Sequence, residues 1–158
     1  MSDFQFLLNE FCERLKITED SSGAILSNAA NIMATELDLH PGGRALPTSR
    51  ADLQDYVASG LRRCRGLTIV NVFSALQRSA EIHLHEKAKL RWFASWPEYA
   101  RSGNWITSPD SLDYAEMISR TEEVLGLDVN CEQDLGDTVG ETVKRLWQRL
   151  CTSAEVTQ

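Results

Sequence analysis

Apolar residues recur every three to four positions along most of this chain, which is the spacing of one face of an α-helix. The first apolar stripe follows Ser2, a residue type that caps helices, and it consists of Phe4, Leu7, Leu8, Phe11 and Leu15. Similar stripes begin near Ile25, Leu53, Leu112 and Val139. The spacing therefore predicts an all-α protein, a bundle of five or six helices around one core.

The longest periodic run extends from Leu67 to about Phe93, and its apolar positions are Ile69, Phe73, Leu76, Ala80, Leu84 and Ala88. β-Branched residues at the start of the run are also common in strands, but the continuing helical spacing favours a helix. The sequence therefore predicts one long central helix, which ends at Trp96 and Pro97 because proline cannot continue a helix.

The helix boundaries and the core also follow from the pattern. Ser108, Pro109 and Asp110 give the clearest helix start, with a capping serine, a proline at the first helical position and an acid in the first turn. We predict a single helical domain over residues 1–151 and a frayed C-terminal tail over residues 152–158. Four residues lie at the centres of stripes and should be deeply buried: Phe11, Phe73, Leu76 and Leu146.

Composition narrows the class of function. The 158 residues include 23 acidic and 16 basic side chains, a net charge of −7, which disfavours a general nucleic-acid binder. No apolar run approaches the roughly 18–20 residues of a membrane span, and the N-terminus does not resemble a secretory signal. The four cysteines lie far apart and form no zinc motif, so reduced thiols, a cytoplasmic location and no metal or cofactor are expected.

One motif points to catalysis. Arg78 and His83 are separated by four residues, and His85 follows two positions later. On one long helix this spacing puts the arginine and the histidine about a turn and a half apart. Metal-free RNA cleavage needs an arginine that stabilises the phosphate charge and a histidine that transfers a proton. The R-x4-H spacing resembles that of the HEPN ribonuclease domains, which are all-α and pair the motif across a homodimer. The resemblance implies a metal-independent ribonuclease, or an inactive relative, with Arg78 and His83 in the catalytic site.

The segment from Arg91 to Trp105 is rich in aromatic residues, namely Trp92, Phe93, Trp96, Tyr99 and Trp105. Tryptophan, tyrosine and arginine contribute most of the binding energy in many protein–protein interfaces. An aromatic mini-core is the other interpretation, and Trp92 and Trp105 fit it best. Trp96, Tyr99 and Arg101 are expected on the loop side, where they are the candidate protein-binding residues.

These observations favour a non-enzymatic cytoplasmic protein that binds another protein, such as an inhibitor, an immunity protein or an adaptor. The HEPN-like ribonuclease is the alternative, and a homodimer is compatible with either function. A third hypothesis comes from the opening stretch FQFLLNEFCERLKI, which resembles class I type III secretion chaperones. Those chaperones are α/β proteins, and this sequence does not predict their strands.

Overall fold

A computed structural model describes residues 2–106, 111–128 and 131–156. Over these ranges the chain is helical and contains isolated β-bridges but no β-strand, so the prediction of an all-α fold is confirmed. Contacts divide the chain into two compact units, unit 1 over Met1–Arg63 and unit 2 over Cys64–Gln158. The single domain over residues 1–151 stays a prediction.

Unit 1 contains three helices, α1 over Asp3–Arg14, α2 over Gly23–Glu36 and α3 over Arg50–Gly60. Each begins after a serine whose side chain accepts a hydrogen bond from a backbone N–H in the first turn, and these serines are Ser2, Ser22 and Ser49. The apolar stripes of the helices form the core, with Phe11, Leu26, Met33 and Leu53 at its centre.

Unit 2 begins with α4 over Ile69–Ala80, which packs against α6 over Ser111–Leu125 and α8 over Val139–Val156. Two shorter helices, α5 over Trp96–Arg101 and α7 over Cys131–Asp134, lie between them in the chain. All four residues predicted to be deeply buried, Phe11, Phe73, Leu76 and Leu146, are at most 1% exposed, which confirms that prediction.

The prediction of one long central helix is wrong over its second half. Helix α4 ends at Ala80, and a single 3-10 turn over Glu81–His83 follows it. The chain then folds back, because the buried Gln77 side chain accepts a hydrogen bond from the Leu90 N–H at 2.7 Å and Leu84 pairs with Trp105. The apolar residues of this stretch are therefore buried by a folded-back loop, which the helical spacing alone does not reveal.

Two predictions concern the ends of the later helices, namely a helix start at residues 108–110 and a frayed tail after residue 151. The predicted helix start at Ser108, Pro109 and Asp110 lies outside the described residues. The C-terminal helix continues to Val156, so the chain is helical over the first residues of the segment that was predicted to fray. Leu150 and Cys151, both buried, anchor this end of α8 to unit 2.

Candidate functional site

Five ring-bearing residues of unit 2 pack together, and we call them the aromatic cluster: His83, Trp96, Tyr99, Trp105 and Tyr114. The Trp105 and Tyr114 ring centroids are 4.9 Å apart, and those of Trp96 and Tyr114 are 5.7 Å apart with an edge-to-face angle of 64°. Such tilted and edge-to-face arrangements match the charge distribution of aromatic rings, so the cluster is a packed aromatic core within unit 2.

Trp96 and Tyr99, two of the three candidate protein-binding residues, are buried. Trp96 is 3% exposed, and its Nε1 donates a hydrogen bond to the buried Thr142 hydroxyl at 3.1 Å. Tyr99 is 5% exposed, and its hydroxyl accepts from the Arg91 N–H at 2.7 Å and donates to a backbone carbonyl. Both side chains bury their rings and satisfy their polar ends internally, as members of an aromatic core do. Of the three candidate residues, Arg101 is exposed.

His83 is turned into the cluster. It is 8% exposed, its ring stacks on Trp105 at 5.3 Å with an angle of 3°, and its Nδ1 lies 3.7 Å from an oxygen of Asp113. Nε2 of His83 and Nε1 of Trp105 are buried and have no hydrogen-bond partner among the described residues. The neighbouring Tyr114 phenol stays protonated, since burial and then the Asp113 charge raise its pKa.

The predicted geometry of the R-x4-H motif is not formed. Arg78 is exposed in the last turn of α4, whereas His83 follows the end of that helix and lies in the 3-10 turn. No hydrogen bond, ion pair or ring contact within the described part of the chain joins the two side chains, and His85 is exposed in the following loop. The motif therefore lacks the one-helix placement that the spacing predicted, because α4 ends at Ala80.

Unit 2 also contains a buried charged group, which the sequence pattern did not predict. Arg149 of α8 donates hydrogen bonds to the carboxylates of Glu122 and Asp134, which are 0% and 2% exposed. These residues belong to α8, α6 and α7, so the group links three helices. The signal in the sequence was Glu122, an acid four residues after Ile118 and therefore on the apolar face of its helix.

The protonation of this group follows from its burial. Burial raises the pKa of the Asp134 carboxyl and the Glu122 charge adds to the rise, while the Arg149 charge opposes it. Burial lowers the pKa of Arg149, but its hydrogen bond to Glu122 and the two acidic charges reverse that effect and raise it. An open cleft of about 620 Å³ lies beside the group and is lined partly by Arg145 and Arg149. The arginine compensates two buried carboxylates, which is a structural role.

No metal site and no membrane-spanning helix are found over the described ranges. No group of three or more His, Cys, Asp or Glu residues there is placed to hold a metal ion. No helix there is both long enough and apolar enough to cross a membrane.

Comparison of the chain with known protein families, curated proteins and solved structures finds no match. The function must therefore be inferred from the residues and their geometry.

The burial of Trp96 predicts a stability effect in place of a selective loss of binding. Trp96→Ala should lower the free energy of unfolding by about 3–5 kcal/mol, since it empties a packed site and removes the hydrogen bond to Thr142. Arg101→Ala, on the exposed face of the same helix, should change it by less than about 0.5 kcal/mol. Chemical denaturation measures both, and equal values for the two variants would contradict the burial.

Removing the arginine of the charged group should leave two buried carboxylates without a counter-charge. We expect Arg149→Met to destabilise the protein by about 3–5 kcal/mol at pH 7, because Glu122 and Asp134 lose their counter-charge. The exposed Arg120→Met, which removes only a surface pair with Glu116, is the matched control and should cost less than about 1 kcal/mol.

The pH dependence of the Arg149→Met variant follows in sign. The pKa of Asp134 is already raised by burial, and without Arg149 it should rise further, so the folded state binds more protons than the unfolded state. The stability deficit of the variant should therefore shrink as the pH falls from 7 towards 5. A deficit that grows over this range would contradict the role of Arg149 as the counter-charge of Asp134.

Proposed function

We propose that this chain is a non-enzymatic protein-binding module and that it binds its partner through an exposed apolar surface of unit 2. This surface, the apolar patch, consists of Ile82, Ile106 and Leu112. An inhibitor, an immunity protein and an adaptor are roles that fit such a module, and a cytoplasmic location stays part of the proposal.

The exposure of these three side chains supports the proposal most directly. Ile82 is 50% exposed, Ile106 is 53% exposed and Leu112 is 75% exposed. Large apolar side chains that are exposed singly are ordinary, but a group of them marks an interaction surface.

The three residues form one group because each is linked to His83, by chain adjacency, by a backbone hydrogen bond or through a neighbouring residue. Ile82 precedes His83 in the chain, and the Ile106 N–H donates to the His83 carbonyl at 2.7 Å. Leu112 precedes Asp113, whose carboxylate lies 3.7 Å from the His83 ring. These links place all three residues close to the turn that carries His83, which belongs to the aromatic cluster.

The aromatic cluster gives the patch a rigid base. Trp105 directly precedes Ile106 in the chain, is buried, stacks on His83 and pairs through its backbone with Leu84. A surface whose backbone is already fixed loses less conformational entropy on binding than a mobile one. The uncharged side chains of the patch also match the centres of protein interfaces, where charged residues are depleted.

The HEPN-like ribonuclease has less support. It requires Arg78 and His83 to act together on a phosphate, whereas Arg78 is exposed on α4 and His83 is directed at Asp113 and Trp105. A histidine that is 8% exposed also offers little surface to an RNA substrate. RNA cleavage by the purified chain is therefore included among the outcomes of the following experiment.

The experiment first captures partners on the immobilised chain, identifies them by mass spectrometry and then measures the affinity of each purified partner by calorimetry. Ile106→Asp should weaken binding about thirtyfold or more, since a charge at the centre of an apolar interface costs 2 kcal/mol or more. Val124→Asp is the matched control and should change the affinity by less than about threefold. Val124 is 68% exposed on α6, about 18 Å along the helix from Leu112.

Two results would reject the proposal. One is a partner whose affinity falls equally in Ile106→Asp and Val124→Asp, or in neither. The other is metal-independent RNA cleavage by the purified chain that disappears in Arg78→Ala, which would favour the ribonuclease.

A further inference from the structure

Two cysteine side chains of unit 2 meet in its interior. The Cys64 and Cys151 sulfur atoms are 2.6 Å apart, and each residue is 7% exposed. Non-bonded carbon atoms pack at about 3.5–4.0 Å, and a disulfide bond is about 2.05 Å long. The two sulfurs are therefore much closer than ordinary packing brings side chains, although 87 positions separate them in the sequence.

A tight turn fixes the position of Cys64. The Cys64 N–H donates to the Leu67 carbonyl at 2.9 Å, and the Leu67 N–H donates back to the Cys64 carbonyl at 3.0 Å. The two residues between them, Arg65 and Gly66, have φ angles of 55° and 76°, which is the left-handed pair of a type I′ turn.

Helix packing brings Cys151 to the same place. The turn at Cys64 leads within two residues into α4, which packs against α8. Cys151 lies on the buried side of α8, one residue after the fully buried Leu150. The turn and the helix pair hold both sulfurs in place, so the contact is built into the fold of unit 2 and does not require a mobile loop.

We propose that Cys64 and Cys151 are a redox modification site, which forms an intramolecular disulfide by exchange with a small-molecule disulfide such as oxidised glutathione. The Cys64 thiolate attacks one sulfur of the oxidant, so that a mixed disulfide forms and one small thiolate leaves. The Cys151 thiolate then attacks the Cys64 sulfur and the second small thiolate leaves. Two protein thiols and one small disulfide become one protein disulfide and two small thiols.

The new bond should stabilise unit 2. It closes a loop of 87 positions between the turn before α4 and the last helix, and a long closed loop restricts the unfolded chain strongly. Reduced and oxidised forms of the same chain should therefore differ in thermal stability, with the oxidised form melting about 5–15 °C higher.

Cys12 supplies a matched control within the chain. It is 3% exposed in unit 1, and burial raises the pKa of its thiol against the opposing effect of Arg50. A thiol held protonated is a poor nucleophile. Cys12→Ser should therefore leave the oxidation of Cys64 and Cys151 unchanged.

The test incubates the reduced full-length chain with oxidised glutathione at a temperature just below its melting transition, where local opening exposes the sulfurs. The wild type and Cys12→Ser should each lose about 2 Da, the mass of two hydrogens, and both losses should be reversed by a dithiol. A non-reducing tryptic map should then join the fragment Cys64-Arg65 to the fragment of residues 150–158. Cys64→Ser and Cys151→Ser should fail to lose this mass and should take up one glutathione at the cysteine of the pair that each variant retains.

The wild-type tryptic map decides the proposal even if a serine variant does not fold. A wild-type chain that shows no Cys64–Cys151 link after this incubation would overturn it. So would a principal link that involves Cys12 or Cys131, or an oxidised form that melts at the same temperature as the reduced form.

Discussion

The N-terminus of α8 binds the backbone of residues 92–96, and the rest of unit 2 depends on that contact. The Gly140 N–H donates to the Trp92 carbonyl at 2.8 Å, and the Val139 N–H donates to the Ala94 carbonyl at 3.0 Å. The first N–H groups of a helix have no partner within the helix, so the folded-back loop satisfies donors that would otherwise be buried unpaired. The approach is close enough to need glycine: a Cβ at Gly140 would lie 2.6 Å from Trp92 Nε1.

The same contact positions the proposed binding surface. With Trp92 against α8, the chain enters α5 so that Trp96 reaches Thr142, and the loop after α5 returns Trp105 to the side of His83. Ile82 and Ile106, two residues of the apolar patch, directly adjoin His83 and Trp105 in the chain, and those two rings stack on each other. A partner that binds there would meet a preformed surface, and its affinity would not have to offset the ordering of a loop. In this proposal, the stability of the core and the order of the binding surface have one structural origin.

The sequence predicted what depends on local chain chemistry and missed what depends on distant partners. The apolar stripes and the serine cap at Ser2 identified helices correctly, because periodicity and capping act within a few residues. The end of α4 at Ala80 was missed because it depends on residues that are distant in the chain. The Cys64–Cys151 contact was missed for the same reason: no spacing in one sequence reports on a partner 87 positions away.

The central claim is that α8 and residues 92–96 need close backbone contact, and Gly140→Ala tests it most directly. Alanine favours helices, so local propensity alone predicts a gain of up to about 1 kcal/mol. We expect a loss of about 1–3 kcal/mol in the free energy of unfolding, since the added methyl group overlaps the buried Trp92 ring. Gly23→Ala, at a helical position with nothing within 4 Å, should be neutral or stabilising. Equal, favourable effects of the two substitutions in denaturant unfolding would contradict the account.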